Sequence, residues 1–272
     1  MLASIAQSKM LNWVHLKQSL SALQNMNQAN NPMKKDSALV KAERLIARAH
    51  SEADRPDSDG PSGKAGEIAA ELEHRLITGH YKFGDPLSIY SLAEQFDASR
   101  QPISAAINHL RGLGYLKIVP QVGCQVVSPS PQEIADFFYM LAKIECGIAG
   151  FAAARHDDGE PEVLIAISEY ISATPFDNAE HREDWAVGVD AYHGQIRAMA
   201  RSPGLEQRVQ NLWRLSDFYL WQGVSNLQPK KIATANRERQ KIANAIAARD
   251  VERSEQLMEQ HVRGKPQRVG IV

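Results

Sequence analysis

The stretch that most constrains this chain runs from Gly79 to Val127, GHYKFGDPLSIYSLAEQFDASRQPISAAINHLRGLGYLKIVPQVGCQVV. Its punctuation predicts two short helices joined by a tight turn, followed by a β-hairpin. Ser88 or Ser91 can cap the first helix, and Leu92, Ala93 and Phe96 give it an apolar face at helical spacing. Asp97 and Ala98 read as the turn. Ser99 then caps the second helix, with Pro102 near its first turn, where a missing N–H costs nothing. Ile103, Ile107 and Leu110 recur at i, i+4 and i+7, which buries one side and leaves Arg100, Gln101, Ser104, Ala105 and Asn108 toward solvent. Gly112 and Gly114 end that helix. Tyr115 to Val119 and Cys124 to Val127 read as strands, with PQVG as the hairpin tip.

This order of parts is that of a winged helix-turn-helix, whose second helix has a small, polar, positively charged N-terminus suited to a major groove. Arg, Gln, Ser and Asn on the outward face are the side chains able to reach base edges and phosphates. A helical hairpin packed within a core would have no use for them. Double-stranded DNA is therefore the expected partner.

At 272 residues the chain has room for two domains. Its net charge of −1 and pI of about 6.8 provide no bulk attraction to nucleic acid. Affinity must then come from a local patch and from the symmetry of a homodimer. Two cysteines, Cys124 and Cys146, exclude a disulfide framework and suit a reducing cytoplasm. No 18-residue apolar run is evident, so no membrane span is expected, and the N-terminus lacks the pattern of a signal peptide.

Three zones follow. Residues 1–62 are rich in Gln, Asn, Ser, Lys and Ala and end in SEADRPDSDGPSG, a disordered or marginally helical extension and linker. Leu39, Leu45, Ile46 and Ala49 give one weak amphipathic series there, and Met33 offers an alternative start. Residues 63–128 form the winged helix-turn-helix, opened by a helix with Ile68, Leu72, Leu76 and Ile77 on one face. Residues 130–265 form an all-α effector-binding and dimerisation domain. Its first helix carries Ile134, Phe137, Phe138, Leu141, Ile144, Ile148 and Phe151 as one stripe. Further helices are expected near Glu160 to Ile171, Glu183 to Ala200, Leu205 to Trp221, Lys230 to Ala248 and Val251 to Val262. The fold class is thus mainly α, an N-terminal winged helix-turn-helix followed by an all-α antiparallel helical bundle.

The second and third zones together resemble the GntR family of bacterial transcription regulators, in its FadR-like branch with an FCD-type effector domain. GHYKFGDPLS, SLAEQF, SRQPISAAINHLRGLGYL and PQVGCQVV carry the DNA-binding pattern. IADFFYMLAKIECGIAGFAA, DAYHGQI and AIAARDVERSEQLMEQH carry the effector-domain pattern, so the likeness covers about Gly63 to His261. It implies a cytoplasmic, homodimeric transcriptional regulator, a repressor by family habit, that binds a palindromic operator and answers to a small-molecule effector. It also implies DNA contacts by Ser99, Arg100 and Gln101 at the start of the recognition helix and by Gly123 at the wing tip. Ser104 and Asn108 on the outward face and Tyr90 in the preceding helix complete the candidate set. Arg100 suits a guanine edge or a phosphate, and Gly123 lets the wing backbone approach the minor groove closely. The chain departs from the family at two of these positions, since Ser104 and Tyr90 stand where arginine is frequent. Fewer guanidinium groups imply lower affinity or a shifted operator.

FCD domains commonly hold a divalent metal through Asp-x-x-x-His and two later histidines. Of these the chain keeps His193, from DAYH, and His261, from MEQH. Val189 stands four residues before His193, with Asp190 one step off the motif, and Arg239 stands where the middle histidine is expected. A guanidinium cannot ligate a metal. Two readings are open: a weakened metal site of Asp190, His193 and His261, or two histidines satisfied by hydrogen bonds with no metal. A buried Arg239 needs an anion, and either an effector carboxylate or phosphate or Glu145, midway along the apolar stripe, can supply it. Trp213, Phe218, Tyr219 and Trp221 share one helix and read as core, some of them able to line a cavity. His193, His261, Asp190 and Glu145 could also form a hydrolytic constellation. No nucleophile motif, phosphate loop or HExxH helix accompanies them, so an enzyme is not expected. Beside the carboxylate-sensing regulator stand a metal-dependent sensor of FCD type and a dimeric DNA-binding adaptor that senses nothing.

Overall fold

A computed structural model describes residues 32–52, 60–120, 123–222 and 228–272, and most of these are helical. In chain order the elements are α1 (Pro32–Glu52), α2 (Lys64–Ile77), β1 (Pro86–Leu87), α3 (Ile89–Gln95), α4 (Arg100–Gly112), β2 (Leu116–Val119) and β3 (Gly123–Val126). Then follow α5 (Pro131–Arg155), α6 (Glu160–Ala173), α7 (Ala179–Met199), α8 (Pro203–Trp221), α9 (Pro229–Ala247), α10 (Val251–Arg263) and α11 (Lys265–Val269). The chain is a mainly helical protein, as its sequence pattern predicts. Two compact units emerge, each assembled from segments distant in sequence. One takes the described parts of 51–144, 204–227 and 262–272; the other takes those of 1–50, 145–203 and 228–261.

The first unit contains the helix-turn-helix. Ile68, Ala69, Leu72 and Leu76 repeat along α2 at helical spacing and are buried, where α2 packs against α4. Ser88 caps α3, its hydroxyl accepting from the Ser91 N–H at 3.3 Å. Asp97 makes the turn with φ of +46°, a conformation that aspartate tolerates better than most residues. Ser99 occupies the N-cap position of α4 with extended backbone, yet its side chain makes no capping hydrogen bond, which corrects its expected capping role. Ile103, Ala106, Ile107 and Leu110 form the buried face of α4. Gly114 follows the end of α4 with φ of +91°, which lets the chain reverse into β2 without a strained side chain.

The wing is a three-stranded antiparallel sheet in the order β1-β3-β2. Ile118 and Leu87 both lie opposite Cys124, and Leu116 lies opposite Val126. β1 adds a strand to the expected hairpin, whose tip residues Gln121 and Val122 lie outside the described residues. Leu72, Ile103, Leu110, Tyr115 and Val126 meet in one core, and Phe218 from α8 completes it. The Phe218 ring lies edge-on to Tyr115 at 5.3 Å and to Phe83 at 5.4 Å between centroids. Phe218 is therefore core as expected, but it packs with the helix-turn-helix.

In the second unit α6 packs against both α7 and α9. Gly188 permits the close crossing of α7 on α6, because a β-carbon there would lie 3.0 Å from Ile171 and 3.1 Å from Tyr170. The stripe expected along α5 is mostly buried, but Phe151 is exposed and carries the Arg155 guanidinium 4.0 Å above its ring. α1 buries Ala38, Leu39, Ala42 and Ile46, so the weak series foreseen in the extension is a 21-residue helix. α5 has the length and composition to cross a membrane, contrary to the expectation of no such run. Half of its apolar window is buried inside the protein, which is the pattern of a core helix.

Phe218→Ala should cost about 3–5 kcal/mol, the usual range for emptying a fully packed aromatic site. Chemical denaturation of the full chain reads this directly; a loss within about 0.5 kcal/mol would show that α8 contributes little to that core.

Candidate nucleic-acid interface and buried polar cluster

The start of α4 presents its polar residues outward. Ser99, Arg100, Gln101, Ala105 and Asn108 are exposed, and Ser104 is partly buried. No acidic side chain occupies the first turn of α4, so the positive end of the helix dipole is not offset. The Arg100 guanidinium carbon lies 4.2 Å from the centroid of the Tyr90 ring, and Tyr90 is 62% exposed. Tyr90 thus neither packs in the core nor stands apart. Gly123 opens β3 beside the wing tip with φ of +99° and open space where a side chain would begin. A helix N-terminus of this composition can hold phosphate oxygens with its N–H groups and a base edge with an arginine fork.

A second group of polar residues is buried within the helical unit. Glu145 on α5, His193 on α7, Arg239 on α9 and His261 on α10 are all almost fully inaccessible. His193 Nδ1 lies 3.9 Å from Glu145 Oε2, and the rings of His193 and His261 stack with centroids 6.1 Å apart. His261 Nδ1 lies 2.7 Å from Glu238 Oε2, a short hydrogen bond with the carboxylate as acceptor. Arg239 donates from Nη1 to Asn236 Oδ1 at 2.9 Å, and its guanidinium lies 5.0 Å from the Trp185 ring, which Phe176 meets edge-on. The Tyr192 hydroxyl donates to the Arg239 carbonyl at 2.8 Å. Burial pushes the Tyr192 pKa far above its ordinary value, an effect that the nearby Arg239 charge opposes only in part.

Asp190 is separate from this group. Its side chain is 55% exposed and lies 3.8 Å from Arg197 on the same helix. Among the described residues no three His, Cys, Asp or Glu side chains are arranged to hold a metal ion. The donor set does not fit the divalent metal that the resemblance implies: Val189 and Arg239, which stand where that resemblance expects two ligands, cannot bind one, and the Asp190 carboxylate faces solvent.

Comparison with known proteins places these features in a family. Residues 64–126 match the bacterial regulatory proteins of the gntR family, and residues 136–264 match the FCD domain. The chain belongs to the GntR family. It is a transcriptional regulator with an FCD effector-binding domain, from a family of DNA-binding regulators that are not enzymes. It is 26% identical over 195 residues to the HTH-type transcriptional repressor GlaR of Escherichia coli K12, covering 70% of this chain and 89% of that protein. It is 27% identical over 162 residues to the Exu regulon transcriptional regulator of the same strain, covering 54% of this chain and 60% of that one. Two solved structures share the fold. Escherichia coli McbR/YncC has a TM-score of 0.64 at 16% identity, over 77% of this chain and 98% of its own. A GntR regulator from Rhodococcus sp. RHA1 has a TM-score of 0.59 at 17% identity, over 76% of this chain and 98% of its own.

Within this GntR regulator the structure brings Glu145, His193 and His261 together, buries Arg239 against Asn236 and Trp185, and leaves Asp190 outside. Sequence reasoning missed Glu238, Trp185, Asn236 and Tyr192. Glu238 adjoins Arg239 in RERQ and reads as a solvated helix charge, so only the fold shows it against His261. Tyr192→Phe tests the buried hydroxyl. Its folded-state pKa lies above its unfolded value, so the stability it contributes is complete below about pH 10 and is lost as pH rises beyond. The variant should cost about 1 kcal/mol at neutral pH and flatten the alkaline loss of stability in denaturation curves. An unchanged alkaline slope would assign that loss elsewhere.

Proposed function

We propose that this GntR regulator is a cytoplasmic repressor that binds a two-fold symmetric operator as a homodimer and is switched by a small organic acid held without a metal. The exposed, unneutralised N-terminus of α4 supports the DNA half of this reading, with Arg100 over Tyr90 at its tip. Ser99, Arg100, Gln101 and Asn108, with Ser104 beside them and Gly123 at the wing, form the contact surface, and Tyr90 lies against Arg100 at its edge. One winged domain offers too little contact for tight, specific binding, whereas two related by symmetry read half-sites in successive major grooves. The resemblance to a protein named a repressor favours repression.

The effector half rests on Arg239. A buried guanidinium stacked on Trp185 and held by Asn236 is a fixed, planar donor of the kind that carboxylates meet in bidentate fashion. A ligand that prefers one arrangement of the helices shifts the dimer between DNA-binding geometries.

In-vitro selection of bound duplexes should return an inverted repeat, and sedimentation should show a dimer at micromolar concentration. Arg100→Ala should then cost about 1–3 kcal/mol at one base pair of each half-site and relax the preference there. A uniform loss that shrinks at high salt would make Arg100 a phosphate contact instead. For the effector, a panel of small carboxylic acids should change operator affinity in the wild type and not in Arg239→Met. Elemental analysis of protein purified without chelator should find no stoichiometric transition metal. Zinc, nickel or manganese that disappears in His193→Ala would restore the metal-dependent sensor, and indifference to every acid would favour the adaptor.

A further inference from the structure

Arg100 opens α4 and Tyr90 is the second residue of α3, so the turn between the two helices decides whether their side chains meet. They do, with the guanidinium carbon over the ring at 4.2 Å from its centroid, well within the reach of a cation–π contact. A ring left 62% exposed gains little from burial, so core packing does not explain where Tyr90 sits. Among the described residues Arg100 has no carboxylate or hydrogen-bond partner that would aim it otherwise.

We infer that Tyr90 is a positioning residue for operator reading, a platform that holds the Arg100 guanidinium in the orientation in which it meets a base. The inference rests on Arg100 as a base-reading residue. A stack occupies the flat face of the guanidinium and leaves its in-plane N–H groups free for a bidentate contact. It also removes rotamer freedom that an unrestrained arginine would lose only on binding. Both partners stand on fixed backbone. The Ser88 hydroxyl pins the start of α3, and Ala98 N–H donates to the Ala93 carbonyl at 3.0 Å to close the turn. Pro102 then restricts the first turn of α4. The aromatic side chain therefore supplies direction and not charge. Its removal leaves the attraction of Arg100 for phosphate intact and blurs the choice of base.

The test uses the full chain, a duplex enriched by selection with the wild type, and single-base variants of that duplex, with binding read by fluorescence anisotropy. Tyr90→Ala should lower discrimination at the base pair that Arg100→Ala relaxes, by about two- to fivefold, with little change in binding to unrelated duplex. Tyr90→Phe should keep the wild-type discrimination, because the ring is retained. In an Arg100→Ala background Tyr90→Ala should change nothing further. Equal losses in Tyr90→Phe and Tyr90→Ala would place the effect on the hydroxyl and overturn the platform. So would a Tyr90→Ala loss that persists without Arg100, or one equal across all duplexes. If Arg100→Ala discriminates as the wild type does, Arg100 is not the base reader. That result removes the premise, and it is visible before any Tyr90 variant is measured.

Discussion

Glu73 carries a charge that the protein has taken out of water, and much of the DNA-reading unit is arranged to satisfy it. The carboxylate is buried on α2, accepts a hydrogen bond from the Tyr115 hydroxyl at 2.8 Å and pairs with the Arg214 guanidinium. An unpaired carboxylate in that position would cost several kcal/mol, so both partners must arrive together. Tyr115 comes from the entry to the wing, 42 residues after Glu73, and Arg214 from α8, 141 residues after Glu73. Burial, with the Glu73 charge adding to it, pushes the Tyr115 pKa well up and keeps the hydroxyl a donor. A register shift of α8 would strand the charge, whereas the apolar contacts around it tolerate small slides. The pair belongs to one compact unit, although Glu73 lies in the stretch that matches the gntR family and Arg214 in the stretch that matches the FCD domain.

The local parts of this unit are legible in the sequence because their causes are local. Ile103, Ile107 and Leu110 mark one helical face, Ser88 supplies a cap, and Gly114 supplies the conformation that ends α4. The parts that are not legible depend on pairing at a distance. β1 is two residues long, too short for any periodicity, and is a strand only because β3 lies beside it. Phe218 looks like every other aromatic in the helical zone, and nothing in its neighbours tells which core it enters. Phe151 continues an apolar stripe by spacing, but α5 turns that position outward and Arg155 covers the ring.

The buried polar group shows the same limit more sharply. Motif positions bring His193, Arg239 and His261 forward as a set, yet Asp190 fails to join them because one residue along a helix rotates a side chain by about 100°. At Asp190 the carboxylate faces solvent and meets Arg197. Conversely Glu238, one residue from Arg239 and so turned by a similar angle, reaches His261. Substituting arginine for a metal ligand also changes what else the site requires. The guanidinium cannot shed its proton, and the Trp185 ring and the Asn236 amide oxygen are among the groups that receive that cation.

A net charge of −1 sets the terms on which such a chain can read DNA. Proteins rich in cations gain much of their affinity from counterion release, which is indifferent to sequence. Here the chain as a whole adds no such attraction, and the outward face of the recognition helix has Ser104 where another guanidinium could stand. Discrimination then depends on how well each remaining contact is aimed, because an arginine that must be ordered on binding spends part of its contact energy on its own freedom. A single arginine already aligned over an aromatic ring compensates for number with geometry. In the homodimer proposed above, two symmetric heads would read two half-sites and so double the number of aimed base contacts.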